Sequence, residues 1–177
     1  MLTNEKIAAI HANAVAHGFW EPGEEPTFGE YCAFIHEEIS EAFSAWRNNE
    51  PDEYIVDGKP EGVWVELGDV VIRIGDLFGR YEVRIIENEY YETMYSNIIE
   101  YVRKMTSIKF AMVISAIHEL VSKAFMCEDG KGATRQLVNT LMFIYAYAEC
   151  HNIGLDAIID RKCAFNVTRP YRHGKRM

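Results

Sequence analysis

The 177-residue chain is 49% hydrophobic and 25% charged, with five prolines and twelve glycines, a balance that excludes a disordered or fibrous protein and suffices for one globular core. Its formal net charge of −9 excludes a sequence-independent grip on nucleic acid, because that affinity comes from neutralising phosphates with Lys and Arg. The longest apolar runs, FAMVISAI and LMFIYAYA, fall far below the ~20 residues a membrane span needs, and the polar N-terminus shows no secretory pattern; a soluble, cytoplasmic protein is expected. The cysteines, Cys32, Cys127, Cys150 and Cys163, are scattered in helix-like segments and predict reduced, buried thiols.

In chain order, apolar residues recur at helical spacing almost throughout, and no stretch alternates with period two for long enough to require a sheet, so the expected class is all-α. A first helix spans residues 4–17 and closes at Gly18. Thr27 followed by Glu30 forms a capping-box signature. Behind it Phe28, Cys32, Ile35, Ile39, Ala42, Phe43 and Trp46 make the apolar stripe of a second helix that ends near Asn49. A polar stretch with Pro51 and Pro60 leads to a third helix over residues 61–81, with Val63, Leu67, Val70, Ile74 and Leu77 as its stripe. Further helices are expected near 88–103, 107–126, 132–151 and 155–167, and Pro170 stops the last one.

The two halves of the chain echo one another. Ile35 to Phe43 (IHEEISEAF) matches Ile117 to Phe125 (IHELVSKAF) at six of nine positions, and the segment around Glu66-Leu67-Gly68-Asp69 then aligns with Gln136-Leu137-Val138-Asn139. This predicts a duplicated helical hairpin, residues 28–81 and 107–151, followed by a C-terminal segment, 155–177, within one domain.

On a helical wheel Glu38 and Glu41 project from one shoulder of the second helix's stripe, and Glu66, Asp69, Arg73 and Asp76 line one shoulder of the third. Helices that pack through these stripes bring two carboxylate pairs face to face. Four such acids repel one another unless a cation lies between them, and oxygen ligands in this number suit Mg²⁺ or Mn²⁺. A di-iron bundle would use Glu-x-x-His, yet no histidine here has a Glu three positions before it. Glycine-rich phosphate loops are also absent from the sequence.

The last seventeen positions hold six Lys and Arg and no acid, so without those charges the rest of the chain carries −15. Spacings of four and three place Lys162, Asn166 and Arg169 on one helical face; with Lys175 they form a basic segment suited to phosphate, and beyond Pro170 the chain is free to fold over a ligand. Trp20, Phe28, Trp46 and Trp64 offer rings that could stack on a base, but aromatic residues on amphipathic helices are more often core. The paired His36 and His118 are read as structural for the same reason.

These motifs resemble those of the MazG-like all-α nucleotide pyrophosphatases. The double carboxylate pattern, Glu38-Ile39-Ser40-Glu41 and Glu66-Leu67-Gly68-Asp69, the tail NVTRPYRHGK, and HANAVAHGFW near the start carry the likeness. The resemblance implies Mg²⁺-dependent hydrolysis of a nucleoside triphosphate to monophosphate and pyrophosphate. Glu38, Glu41, Glu66 and Asp69 would hold metal, Glu38 would also act as base, and Lys162, Asn166, Arg169 and Lys175 would meet phosphate, with Arg73 and Asp76 orienting the ligands. The second hairpin, with Leu120, Lys123, Gln136 and Asn139 at the matching positions, is similar to a degenerate copy that replaces a partner's helices, as in the dimeric dUTPases of the superfamily. A homo-oligomer, most simply a dimer, is the expected assembly. The competing expectation is a non-catalytic nucleotide-binding or regulatory module on the same fold.

Overall fold

The structure, a computed structural model, describes residues 1–86, 88–105 and 109–174. Seven α-helices account for most of it: α1 (Asn4–Ala16), α2 (Phe28–Arg47), α3 (Val63–Arg80), α4 (Glu89–Met105), α5 (Phe110–Met126), α6 (Gly130–Cys150) and α7 (Leu155–Val167). The all-α expectation holds, and the helix bounds lie within a few residues of those read from periodicity. None of the described helices is long and apolar enough to cross a membrane.

A small hairpin was not anticipated. Strands β1 (Tyr54–Val56) and β2 (Lys59–Glu61) pair antiparallel, with Ile55 opposite Pro60. Asp57 and Gly58 both have positive φ, 51° and 82°, as a two-residue turn between twisted strands requires. Three-residue strands are too short to register as alternation, so sequence periodicity misses them. The hairpin also delivers Gly62, which begins α3 at φ 121° with its Cα facing the Pro51 carbonyl; a Cβ there would lie 2.6 Å from that oxygen. Only glycine fits, and the backbone N–H groups of Val63 and Trp64 donate to the carbonyls of Pro51 and Asp52 at 3.3 and 3.1 Å.

The capping box forms as expected: Glu30 N–H donates to Thr27 Oγ1 at 3.2 Å and Thr27 N–H donates to Glu30 Oε2 at 2.8 Å. This fixes the start of α2 and hence the rotational phase that points Glu38 inward. Helix α3 is the centre of the fold and packs against α1, α2, α6 and α7. It is surrounded so completely that fourteen of its residues are buried, Glu66, Asp69 and Asp76 among them. Ordinary amphipathic helices bury one stripe; a helix enclosed on nearly all sides must carry its polar groups into the interior and have them satisfied there.

Helices α5 and α6 form a second hairpin that packs on α2 through α5, and α4 lies against α6. At the α2–α5 seam His36 Nδ1 and His118 Nδ1 stand 2.7 Å apart with their rings stacked. Burial lowers the proton affinity of both, so one neutral ring donates and the other accepts. Two expectations about the core need correction. Trp46, one residue from the end of α2, is 44% exposed, although its ring lies beside Phe43 and Phe110. All four thiols are free, but only Cys32 is buried.

Candidate metal and phosphate site

Three carboxylates converge where α2 crosses α3. One oxygen each from Glu38, Glu66 and Asp69 lies within 4.8 Å of the others, and all three residues are buried. Among the described residues this is the single grouping of acids, histidines or cysteines close enough to share an ion. Glu41, placed with them by the sequence, is exposed at the rim rather than inside the group. It is near enough for its charge to raise the proton affinity of Glu66.

Two cations hold the edges of the cluster. Lys162, 3% exposed on α7, places Nζ 2.7 Å from Asp69 Oδ2 and donates to the Pro60 carbonyl of β2 at 3.3 Å. Burial opposes its charge, but Asp69 and Glu66 outweigh that and raise its proton affinity. Arg73 Nε donates to Glu38 Oε1 at 3.0 Å. Glu66 has no such basic partner among the described residues. Burial, reinforced by the negative charge of Asp69, pushes its carboxyl up to about 8, while Asp69 is pushed up to about 6 by burial with Lys162 opposing. Glu66 therefore keeps its proton at neutral pH in the metal-free protein, and a cation bound there would take that proton's place.

The donor set is all oxygen, which selects hard divalent cations over softer ones. Oxygens opposed across one Mg²⁺ lie about 4.2 Å apart and across Ca²⁺ about 5 Å, so a group within 4.8 Å can close on one ion by side-chain adjustment alone. Residues and ion fit.

Asp76 does not touch the cluster directly. It accepts from Trp20 Nε1 at 2.9 Å, meets His11 Nδ1 at 2.7 Å and accepts from the Tyr31 hydroxyl. Tyr31 in turn is hydrogen-bonded with Arg73, so Asp76 acts on Glu38 through two intermediaries. Trp20, stacked on Tyr31 at 5.2 Å, is a structural member of this chain rather than a platform for a base. Trp64 stacks on Tyr147 and is buried.

A cavity of about 520 Å³ opens beside the cluster, between α1 and α7, with α3 as its floor. Glu38, Asp69, Arg73, Lys162, Asn166 and Arg169 line it on the polar side. Burial lowers the proton affinity of the Arg169 guanidinium. Asn166 is 8% exposed, and its Oδ1 has no hydrogen-bond partner. Lys175 lies outside the described residues.

Two further bases of this segment, Arg161 and Arg172, are engaged within the protein. Arg161 forms a two-point contact with Glu53, Nε to Oε1 at 2.6 Å and a second nitrogen to Oε2 at 2.5 Å. Beyond Pro170 the chain does not hang free, as its sequence suggested. Residues Tyr171–Gly174 form a 3-10 turn strapped to the α1–α2 loop. Arg172 N–H donates to the His17 carbonyl at 2.8 Å and Arg172 Nε to the Gly18 carbonyl at 2.9 Å, while its guanidinium pairs with Glu24. The Tyr171 ring lies so close to Gly18 (φ 79°) that a Cβ there would come within 2.1 Å of it. Neither the strap nor the wall contributed by α1 could be read from spacing, because both depend on segments more than 140 residues apart.

At the positions matching the acids, the second hairpin gathers no cluster. Lys123 pairs with Glu119 on its own helix at 2.7 Å, the Gln136 carbonyl accepts from Thr140, and Asn139 Oδ1 is buried without a partner. Comparison with protein-family models, with curated proteins and with solved structures found no match in any of the three.

Proposed function

We propose that the chain is a Mg²⁺-dependent nucleoside triphosphate pyrophosphohydrolase of the MazG-like kind, releasing nucleoside monophosphate and pyrophosphate. The observation that carries this reading is the buried triad of Glu38, Glu66 and Asp69, two of whose members line a cavity that also presents Lys162 and Arg169. Acids without neighbouring bases would bind a cation and stop there; acids and bases on one cavity suit a cation bridged to a polyphosphate. Mn²⁺ offers the same hard coordination as Mg²⁺.

When bound, Mg²⁺ would supply Lewis-acid activation of the phosphate chain and a water of lowered pKa. Glu66 and Asp69, together with Glu38, would hold the ion, and Glu41 at the rim would add to the set. Glu38 has one oxygen fixed by Arg73. Its second oxygen is oriented by that contact and can take the proton of an attacking water. Arg169 has no carboxylate contact among the hydrogen bonds and salt bridges of the described residues, and it meets the phosphates from the α7 side. Lys162, paired with Asp69 in the metal-free protein, would be a base beside the phosphates, and the sequence adds Lys175 to that role. Asp76 and Arg73 position the base.

We also read α2–α3 and α5–α6 as two copies of one hairpin. Equivalent residues face each other at a twofold axis, and the matching His36 and His118 do so. In this reading one chain holds both halves, so the homo-oligomer expected from sequence would associate complete centres.

The test is incubation with Mg²⁺ and a panel of ribo-, deoxyribo- and modified nucleoside triphosphates, with pyrophosphate and orthophosphate measured separately. Pyrophosphate release that EDTA abolishes is expected. Orthophosphate as the sole product would overturn the proposed reaction, and nucleotide binding without turnover would favour a regulatory module.

A further inference from the structure

A second cavity lies towards the other end of α3 from the carboxylates. It is a groove of about 610 Å³ between the end of α3, the start of α2 and the α5–α6 turn, and Phe28, Leu77, Phe78, Val83, Ala133 and Leu137 supply most of its wall. Leu77 stands more than two turns beyond Asp69 on α3, about 12 Å along the helix. The groove shares no lining residue with the cavity beside the carboxylates.

Large apolar side chains are exposed around this groove. Tyr81, 55% exposed, lines it directly. Phe125, 54% exposed, packs beside Gly29, where a Cβ would come 3.1 Å from its ring. Met126, 75% exposed, precedes the groove residue Cys127. Together the three present roughly 400 Å² to water, a size at which apolar patches on soluble chains mark contact sites. That is about half of what each partner buries in a standard interface, and the groove wall and its rim can supply the rest.

The rim carries both signs of charge. Glu82 and Arg84 flank Val83 on one side, and Glu128 and Lys131 stand in and beside the α5–α6 turn on the other. All four are exposed and form no salt bridge among the described residues. Asp129 is occupied at the positive end of α6, where it accepts from Gly132 N–H at 2.7 Å. Two acids and two bases remain, so the face is close to neutral on a chain whose net charge is −9. Two copies of an acidic chain repel one another in most orientations. A neutral face with unpaired charges of both signs lets them meet, because a twofold contact can set acids of one copy against bases of the other.

We propose that this face is the interface of a homodimer. Phe125 and Met126 end α5 and stand beside the groove rather than in its wall, so a twofold axis between them seats the pair from each copy in the groove of the other. The contact leaves both carboxylate sites open, and it is independent of the proposed reaction, since it needs neither metal nor nucleotide.

The experiment is sedimentation velocity over a wide range of protein concentration, on the wild type, Met126→Asp, Lys131→Glu and Lys131→Glu with Glu128→Lys. Tyr101→Asp, at a residue of α4 that is 57% exposed and outside the face, is the control. Met126 and Lys131 are exposed, so their substitution spares the core, which circular dichroism checks. The wild type and the control should be dimers of equal affinity. Met126→Asp places a charge in an apolar contact and should weaken association at least tenfold. Lys131→Glu makes the face acidic and should also weaken it, and the added Glu128→Lys should recover most of the loss. A wild type that stays monomeric throughout overturns the proposal, as does a dimer that both Met126→Asp and Lys131→Glu leave unchanged, or one that Tyr101→Asp weakens as much as they do.

Discussion

Replacing Glu66 by Gln should flatten the pH dependence of stability of the metal-free protein above neutrality. The Glu66 carboxyl is raised from 4.5 to about 8, first by burial and then by the charge of Asp69. An acid that holds its proton more tightly folded than unfolded stabilises the fold fully below pH 4.5 and loses that contribution as pH rises through about 8. Between pH 7 and 9 its fractional protonation falls from about nine-tenths to about one-tenth, which removes roughly 1.4 kcal/mol of stability. For a chain of this size that is about 3–6 °C in Tm. The window is chosen above pH 7 because His36 and His118, whose proton affinities burial lowers, act in the opposite sense as pH falls through their range. Cys32 and Cys163, pushed up to about 11 by burial, add a decline of the same sign near pH 9. The difference between wild type and Glu66→Gln cancels both. Thermal melts in EDTA at pH 7, 8 and 9 should show the wild type falling more steeply by that amount, and saturating Mg²⁺ should remove the excess by holding Glu66 as carboxylate. Parallel curves for the two proteins in EDTA would refute the electrostatic account of the cluster.

Glu38→Gln and Asp69→Asn should each abolish Mg²⁺-dependent pyrophosphate release while leaving helical content by circular dichroism unchanged, since each amide keeps the shape and an oxygen that can accept from Arg73 or Lys162; near-normal release by either would remove the metal assignment. Asp76→Leu leaves His11, Trp20 and Tyr31 without their acceptor and should cost on the order of 3–6 kcal/mol, measured by urea unfolding, with Asp76→Asn costing less. Arg172→Ala should raise KM more than it lowers kcat, because it frees the strap three residues beyond Arg169, whereas truncation after Phe165 should reduce both; unaltered kinetics in the truncation would return the tail to a solvated role. Lys123→Glu combined with Asn139→Asp should leave turnover roughly intact, while Leu137→Ala, buried in the second hairpin, should destabilise by about 2–5 kcal/mol through the cavity it opens; a gain of metal binding in the double variant would show that the second hairpin retains a latent site.

Helix phase made much of this architecture legible in advance. The capping box at Thr27 fixes where α2 begins, and the inward turn of Glu38 follows from 100° per residue, whereas Glu41, which the same wheel placed beside it, lies exposed at the rim. The same periodicity could not tell how deeply a shoulder residue would be buried. That depends on how many helices surround α3, and its near-complete enclosure turned Glu66 and Asp69 into interior groups. Lys162 was visible as a base on a helical face, but its pairing with Asp69 crosses most of the chain. The β1–β2 hairpin escaped because three residues give one and a half alternations. The strap escaped because its contacts are mostly to backbone carbonyls, and those of His17 and Gly18 carry no side-chain signature.

The Lys162–Asp69 contact also orders the events of folding. Asp69 and its companions lie in the first half of the chain, and the ammonium that faces them is synthesised 93 residues later. Until α7 has emerged from the ribosome, a nascent α2–α3 hairpin carries its three acids with Arg73 as the nearest compensation. Such a hairpin must hold the acids protonated, leave the seam open to water, or recruit a cellular divalent cation early. Closing contacts so distant in sequence is slow relative to local helix pairing, so the last helix acts as the final step of assembly, and a chain stalled before it would expose the charged seam to the solvent and to quality control.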